Sequence, residues 1–265
     1  MARVPHSGSL GVRVRGSGPG ADELARRLSG RPAEERSPAQ VIVVCAVHEQ
    51  ELRSLLDECR NQASADSSAT LLELSPIAAL DQIDLAARFE VAGLTLIGGR
   101  RVPLADARSA LYVDDAAVTH PALTGLLPLL ADEVVATGAA GNAKIVGMLA
   151  DLLAGVNTAI TREALALGEC AGIDPATLIR LIATGSGANA VLSRMERAGG
   201  AADGRAGDDD ARAAMRRGIE RAAAAALAAD HSLFFGSLAI ASLLGARDPR
   251  APIRANAAAT AASPA

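Results

Sequence analysis

The chain has 265 residues, a net charge of −4 and a pI near 5.6; half of its residues are apolar, yet only 2% are aromatic. Its basic residues are scattered, which excludes a nucleic-acid face built from a basic patch with interleaved aromatics. The length allows one large domain or two modest ones, with a core packed from small and aliphatic side chains.

Cys45, Cys59 and Cys170 show no CxxC or Cys/His ligand spacing. An odd cysteine count without a secretory signal fits reduced thiols in a cytoplasm. His48, His120 and His231 also lack metal-ligand spacing, so no metal site is expected. The first residues, MARVPHSGSLG, lack the apolar core of a signal peptide. The longest uncharged run, Ser232 to Ala246, is shorter than a bilayer span requires. These features predict a soluble, cytoplasmic protein.

In chain order, Gly11 to Arg15 alternates valine with arginine and reads as a short strand, followed by a GSGPG turn and a helix from Ala21 to Leu28. Residues 30–40 form a polar loop. Val41 to Val47 is a continuous β-branched run, the signature of a central strand buried on both faces. A helix follows from Glu49 to Cys59. The strand Thr70 to Leu74 ends at Ser75-Pro76, and Ile77 to Val91 is helical. Gly93 to Ile97 is a strand broken by Gly98-Gly99. Ala110 to Val113 and Glu133 to Ala136 are strands flanking a helix from His120 to Leu130. Strands alternating with helices at short spacing imply βαβ units and a mainly parallel sheet.

After Gly138 the pattern changes. About thirty residues run without proline, with Ile145, Leu149, Leu152, Leu153, Val156, Ile160, Ala164 and Leu167 at steps of three and four. That spacing predicts one long helix with a single buried apolar stripe. Gly172 stops it, and Asp174-Pro175 caps and opens the next helix. ATGSGAN is a turn, residues 199–210 form a loop, and helices follow at Ala211–Ala229 and Ser232–Leu244. The expected organisation is an α/β domain over residues 1–137, an all-α domain on a long central helix over 138–255, and a disordered tail over 256–265.

The stretch GAAGNAKIVG…EALALGECAGIDP…ATGSG resembles the glycine turn, central helix and following Gly-Leu-Asp-Pro turn of the β-hydroxyacid dehydrogenases. That group includes 3-hydroxyisobutyrate dehydrogenase and lies within the 6-phosphogluconate dehydrogenase superfamily. VIVVCAVHEQELRSLL resembles the strand and helix that the family sets beside its cofactor, and Glu73-Leu74-Ser75 resembles its Asp-x-Ser. The resemblance implies a Rossmann-like domain followed by the all-α domain. It further implies a reversible oxidation of a small β-hydroxy acid with NADP or NAD, and a homodimer formed through the helical domain.

Carried over residue by residue, the resemblance implies Lys144 as the proton-transfer residue. Arg15, Ala46, Val47 and Ser75 would meet the cofactor, with Arg15 beside a ribose 2′-phosphate. Gly99, Arg100 and Asp151 would meet the acid substrate.

The match has departures. Gly11 to Arg15 corresponds to the family's second strand, so the first strand and glycine turn are missing and the chain is expected to be N-terminally truncated. Gly16-Ser17-Gly18-Pro19-Gly20 is glycine-rich, but its position and Pro19 make it a weak phosphate loop. Counted from the glycines, Lys144 takes the catalytic place; counted back from Glu163, that place falls on Gly147 and the family's substrate asparagine falls on Asp151. A family Lys-Asp pair near the C-terminus is replaced by Arg217-Gly218. The alternative is therefore a non-catalytic relative that keeps the fold as a dimerising or ligand-binding module.

Overall fold

The computed structural model describes residues 12–29, 41–46, 49–62, 69–104, 108–197 and 208–244. Val47, His48, the polar loop at 30–40 and the tail at 256–265 lie outside them.

A six-stranded sheet carries the first half of the chain. Its strands β1 (Val12–Gly16), β2 (Val41–Cys45), β3 (Thr70–Glu73), β4 (Thr95–Pro103), β5 (Ser109–Val113) and β6 (Glu133–Ala136) lie side by side in sequence order. All neighbours are parallel except β4 and β5. The β-branched and leucine-rich runs at β2 and β3 are buried on both faces, as continuous apolar strands must be.

Helices cover both sides. On one face α1 (Gly18–Leu28) packs with α4 (Asp115–Thr119), α5 (Pro121–Thr124) and α6 (Leu127–Leu130), so that Leu24 meets Val43, Leu72, Leu111 and Leu130. On the other, α2 (Glu49–Gln62) and α3 (Ala79–Val91) seal Val44, Leu71 and Leu96 with Leu52, Leu56 and Phe89.

Three expectations change here. Gly98-Gly99 does not break a strand: β4 runs through both glycines to Pro103, because the antiparallel ladder to β5 pairs Gly99 with Val113 and continues to Pro103 and Ser109. The single helix expected over His120–Leu130 is two short helices, preceded by a third, each cut by a proline or glycine.

The glycine-rich turn is also better placed than expected. β1 pairs directly with β2, where a second strand in the usual doubly wound order would stand one place further out. The helix opens at Gly18, not at Ala21. Gly16 has φ +137°, and a Cβ there would lie 1.8 Å from the Cys45 carbonyl oxygen, so this position accepts only glycine.

The second half is helical: α7 (Asn142–Cys170), α8 (Pro175–Ala183), α9 (Ala190–Arg197), α10 (Asp208–Ala228) and α11 (Phe234–Leu244). α9 was not foreseen; the Asn189 carboxamide caps it by accepting from the Val191 and Leu192 amides. At 29 residues, α7 is about 43 Å long. Gly155 lets α10 approach so closely that a Cβ would meet Ile219 Cδ1 at 2.6 Å. Ile219 then fills a small core with Ala159 and Ala239.

The buried stripe expected on α7 is not the buried face. Ile145, Leu149, Leu153, Ile160 and Leu167 are exposed, the last at 73%. Buried instead are Ala143, Lys144, Gly147, Gly155, Thr158, Ala159, Thr161 and Leu165. Small residues win the inner face because close helix and sheet approach demands them, and the larger side chains are left outside. Alone among the described helices, α7 is long and apolar enough to cross a membrane. Here its small-residue face is packed against the sheet and α10.

α1 is tied across the sheet by charge. Arg27 donates to Glu23 and to Asp132, while Asp132 also accepts from the Ser109 amide and hydroxyl. These donors hold the Asp132 carboxyl down at about 2, below its ordinary 3.8. In the window between those values the unfolded chain binds the extra proton, so stability falls as pH drops through it. Asp132→Asn is expected to flatten the acid limb of stability in that window, measured as urea midpoints against pH.

Candidate active site

The carboxyl ends of β2 and β3 and the middle of β4 meet the first turns of α7, and a buried network joins them. The Lys144 side chain is fully buried, with Nζ 2.6 Å from Glu73 Oε2. The amine also donates to three carbonyls: Gly99 at 2.7 Å, Ser75 at 2.8 Å and Glu73 at 3.0 Å. Burial pulls the amine below the usual lysine value, and the Glu73 carboxylate pushes back the other way. Glu73 also accepts from the Ser75 amide, and the Ser75 hydroxyl accepts from the Ala46 amide at 2.8 Å.

Lys144, the expected proton-transfer residue, thus lies inside a buried network. Its protons are committed to backbone and to Glu73, and none is open to a ligand. An ammonium taken out of water must be paired and hydrogen-bonded, and the strands supply that shell. Ser75 and Ala46 are brought together as expected, but they bond to one another and are buried. Arg15 lies on β1, close enough to Cys59 of α2 for its charge to act on that thiol.

One turn along α7, Gly147 leaves a space that Arg100 fills: a Cβ at Gly147 would stand 2.2 Å from Arg100 Cγ. Arg100 donates to Asp151 at 2.9 Å, and Arg221 of α10 reaches the same carboxylate at 3.3 Å. All three side chains are partly buried, each exposing 20–24%. Gly218 permits this, since a Cβ there would lie 2.8 Å from Asp151 Cβ. The result is a cluster with two guanidiniums on one carboxylate and an excess positive charge, a chemistry suited to carboxylate or phosphate.

Arg100 and Asp151, both expected to meet the substrate, bond to each other. Arg221 was missed, although it stands one helical turn beyond Arg217, which had been noted. Glu73 was seen only as part of a motif; its role as the lysine's partner could not be read from residues 71 positions apart.

A third feature lies at the ends of β1 and β2. Gly16, Gly18 and Ala21 stand at the places of a G-x-G-x-x-A turn that follows a strand and opens a helix. Gly18 has φ +81°, and Ser17, at the N-cap of α1, makes no side-chain cap bond. The amides of the first turn thus lack that internal partner. Pro19 sits in this first turn, where a missing N–H is tolerated.

A parallel sheet with a strand–glycine turn–helix at its carboxyl edge, followed by a long helix and a helical bundle, defines the class of Rossmann-like proteins with an appended all-α domain. Comparison narrows this. Residues 138–247 match the family described as NAD-binding of NADP-dependent 3-hydroxyisobutyrate dehydrogenase. The helical half of the chain thus resembles that family, over less than half of the chain's length.

The fold agrees. The 3-hydroxyisobutyrate dehydrogenase of Mycobacterium tuberculosis, solved with L-serine, superposes with a TM-score of 0.66 at 16% identity, covering 89% of this chain and 94% of that one. The Salmonella typhimurium 3-hydroxyisobutyrate dehydrogenase gives 0.66 at 20% identity, covering 83% and 76%. Psf3, solved with NADP+ and 2-OPP, gives 0.68 at 18% identity, covering 88% and 93%. No curated protein sequence matches significantly.

The buried pair has a measurable signature. Lys144→Met strands a buried carboxylate and is expected to cost about 3–5 kcal/mol in urea unfolding. Lys144→Met with Glu73→Leu should cost less than the sum of the two single variants by at least ~1 kcal/mol. Additive losses would show that the two groups are not coupled.

Proposed function

We propose that this chain is an NAD(P)-dependent oxidoreductase of the β-hydroxyacid dehydrogenase type, acting on a small hydroxy acid. The observation that carries the proposal is the Gly16–Ala21 turn, set between the ends of β1 and β2 at the N-terminus of α1. It fits a dinucleotide pyrophosphate: glycine at position 16 makes the tight turn, glycine at position 18 permits close approach of the backbone, and the orphan amides of α1 favour an anion. The nicotinamide, when bound, supplies the hydride chemistry. Ala46 and Ser75 form the adjoining strand ends, and Val47 and Arg15 complete the proposed cofactor-facing group. The family match and the NADP+ bound by Psf3 support this reading.

Arg100 and Arg221, steadied by Asp151, hold the acid's carboxylate, with Gly99 beneath it. Lys144 acts as a positioning residue: by clamping the carbonyls of Ser75 and Gly99 it fixes the floor that cofactor and acid share. The exposed stripe of α7, with Phe234, Phe235 and Leu238 of α11, is an apolar area far larger than scattered surface residues explain. It pairs two copies of the helical domain in a soluble, cytoplasmic homodimer.

A second reading has its own observation. With Lys144 enclosed and Gly147 filled by Arg100, the chain would bind cofactor and acid without turning them over.

NADPH fluorescence titration tests the common part. Saturable binding is expected, weakened at least tenfold in Gly18→Val, and absence of binding at millimolar NADPH would overturn both readings. Given binding, NADPH oxidation or NADP+ reduction with short β-hydroxy and β-keto acids separates them. Arg100→Met should then raise KM for the acid at least tenfold and leave NADPH affinity unchanged. Light scattering is expected to show a dimer that Leu153→Glu with Ile160→Glu converts to monomer.

A further inference from the structure

On the α3 face of the sheet, at the base of α7, lies a cavity of about 220 Å³ between α3, β4 and the Gly138–Gly141 turn. That is room for on the order of seven waters or one small organic molecule. It is separate in the fold from the Arg100–Asp151–Arg221 cluster, which faces the later turns of α7.

Its lining has a definite character. Gln82 is 1% exposed, and its Oε1 is buried with no hydrogen-bond partner. The carboxamide lies flat against Gly98, where a Cβ would stand 2.4 Å from Gln82 Cδ. A buried acceptor left unpaired costs about 1–3 kcal/mol, and such groups in native proteins point to a missing partner. Asp114 and Asp115 also line the cavity, and among the described residues no basic one does.

Both carboxylates touch the hinge into α7. Asp114 accepts from the Gly141 and Ala143 amides, which caps α7 from a neighbouring element. Asp115 accepts from the Gly138 amide. Burial raises the Asp114 carboxyl, while the Gly141 and Ala143 amides and the Lys144 charge pull it back. Lys144, the nearest ammonium to act on it, is already paired with Glu73. Ala86, Leu96 and Ile97 supply an apolar wall opposite.

We propose that this cavity binds a small organic cation, a primary ammonium or guanidinium on a short aliphatic body, whose N–H groups reach Gln82 Oε1 and Asp114. A donor answers the unpaired amide oxygen, a positive charge answers the two carboxylates, and the short body covers Ala86 and Leu96. Because the same carboxylates hold Gly138 and Gly141, the ligand also stiffens the hinge between sheet and helical domain.

The test uses the full chain, ¹⁵N-labelled, titrated with n-propylammonium chloride and followed at the amides of Gly98, Ala139 and Ala140. A saturable shift is expected, with the millimolar Kd usual for so small a ligand. Equimolar n-propanol and sodium chloride should leave those amides in place. Gln82→Leu removes the acceptor and Ala86→Leu fills the space; each should weaken the titration at least tenfold, and whichever variant folds provides the comparison. No saturable shift, an equal response to n-propanol, or an unchanged titration in the folded variant would overturn the proposal. NADPH affinity is measured alongside, since neither variant touches the dinucleotide turn.

Discussion

The Lys144 ammonium sits where the end of β3, the middle of β4 and the start of α7 meet. Strands that point their carbonyls toward a common centre need donors, because buried backbone oxygens are not left unpaired without cost. One lysine with three protons answers the Glu73, Ser75 and Gly99 carbonyls, and the Glu73 carboxylate neutralises the charge. A buried ion pair is weak evidence for net stability, since desolvation offsets most of the attraction. What it does supply is direction. α7 can start only where its lysine reaches this cage, and Asp114 fixes the same end by capping it.

From that anchor the position of the arginine pair follows. With Lys144 drawn inward, the next turn of α7 presents Gly147, and Arg100 closes over it to reach Asp151. The charged group beside Gly147 is therefore an arginine pair around a carboxylate, not a lysine. Guanidiniums stay protonated and bind carboxylates in a fixed geometry, but they are poor proton shuttles. Such a group is better suited to holding an acid than to exchanging protons with it.

α7 serves two partners through opposite faces. Its small residues admit the sheet, Arg100 and Ile219 at close range, while its larger aliphatic residues face outward. Hydrophobic periodicity reports that a helix has an apolar face; it does not report what covers it. The stripe from Ile145 to Leu167 was legible as a stripe, and its assignment to the chain's own core failed because glycine and alanine pack tighter than leucine. The same limit hid α9, whose eight residues carry too few turns for a period to stand out.

The sequence by itself determined the succession of elements: β-branched runs became parallel strands, and the proline-free stretch after Gly141 became one long helix. It also carried the likeness to the dehydrogenases, because turn glycines and helix caps are local and keep their spacing. Tertiary structure alone decided which residues share a site. Glu73 and Lys144, Arg100 and Asp151, and Asp151 and Arg221 are 71, 51 and 70 positions apart. Only the folded chain brings them within hydrogen-bond reach. It also decided that the glycine turn after β1 lies against β2, which no local pattern could show, since sheet order is set by long-range pairing. The lysine that was conspicuous in the sequence became a buried strut for the same reason: its charge is local, and its partners are not.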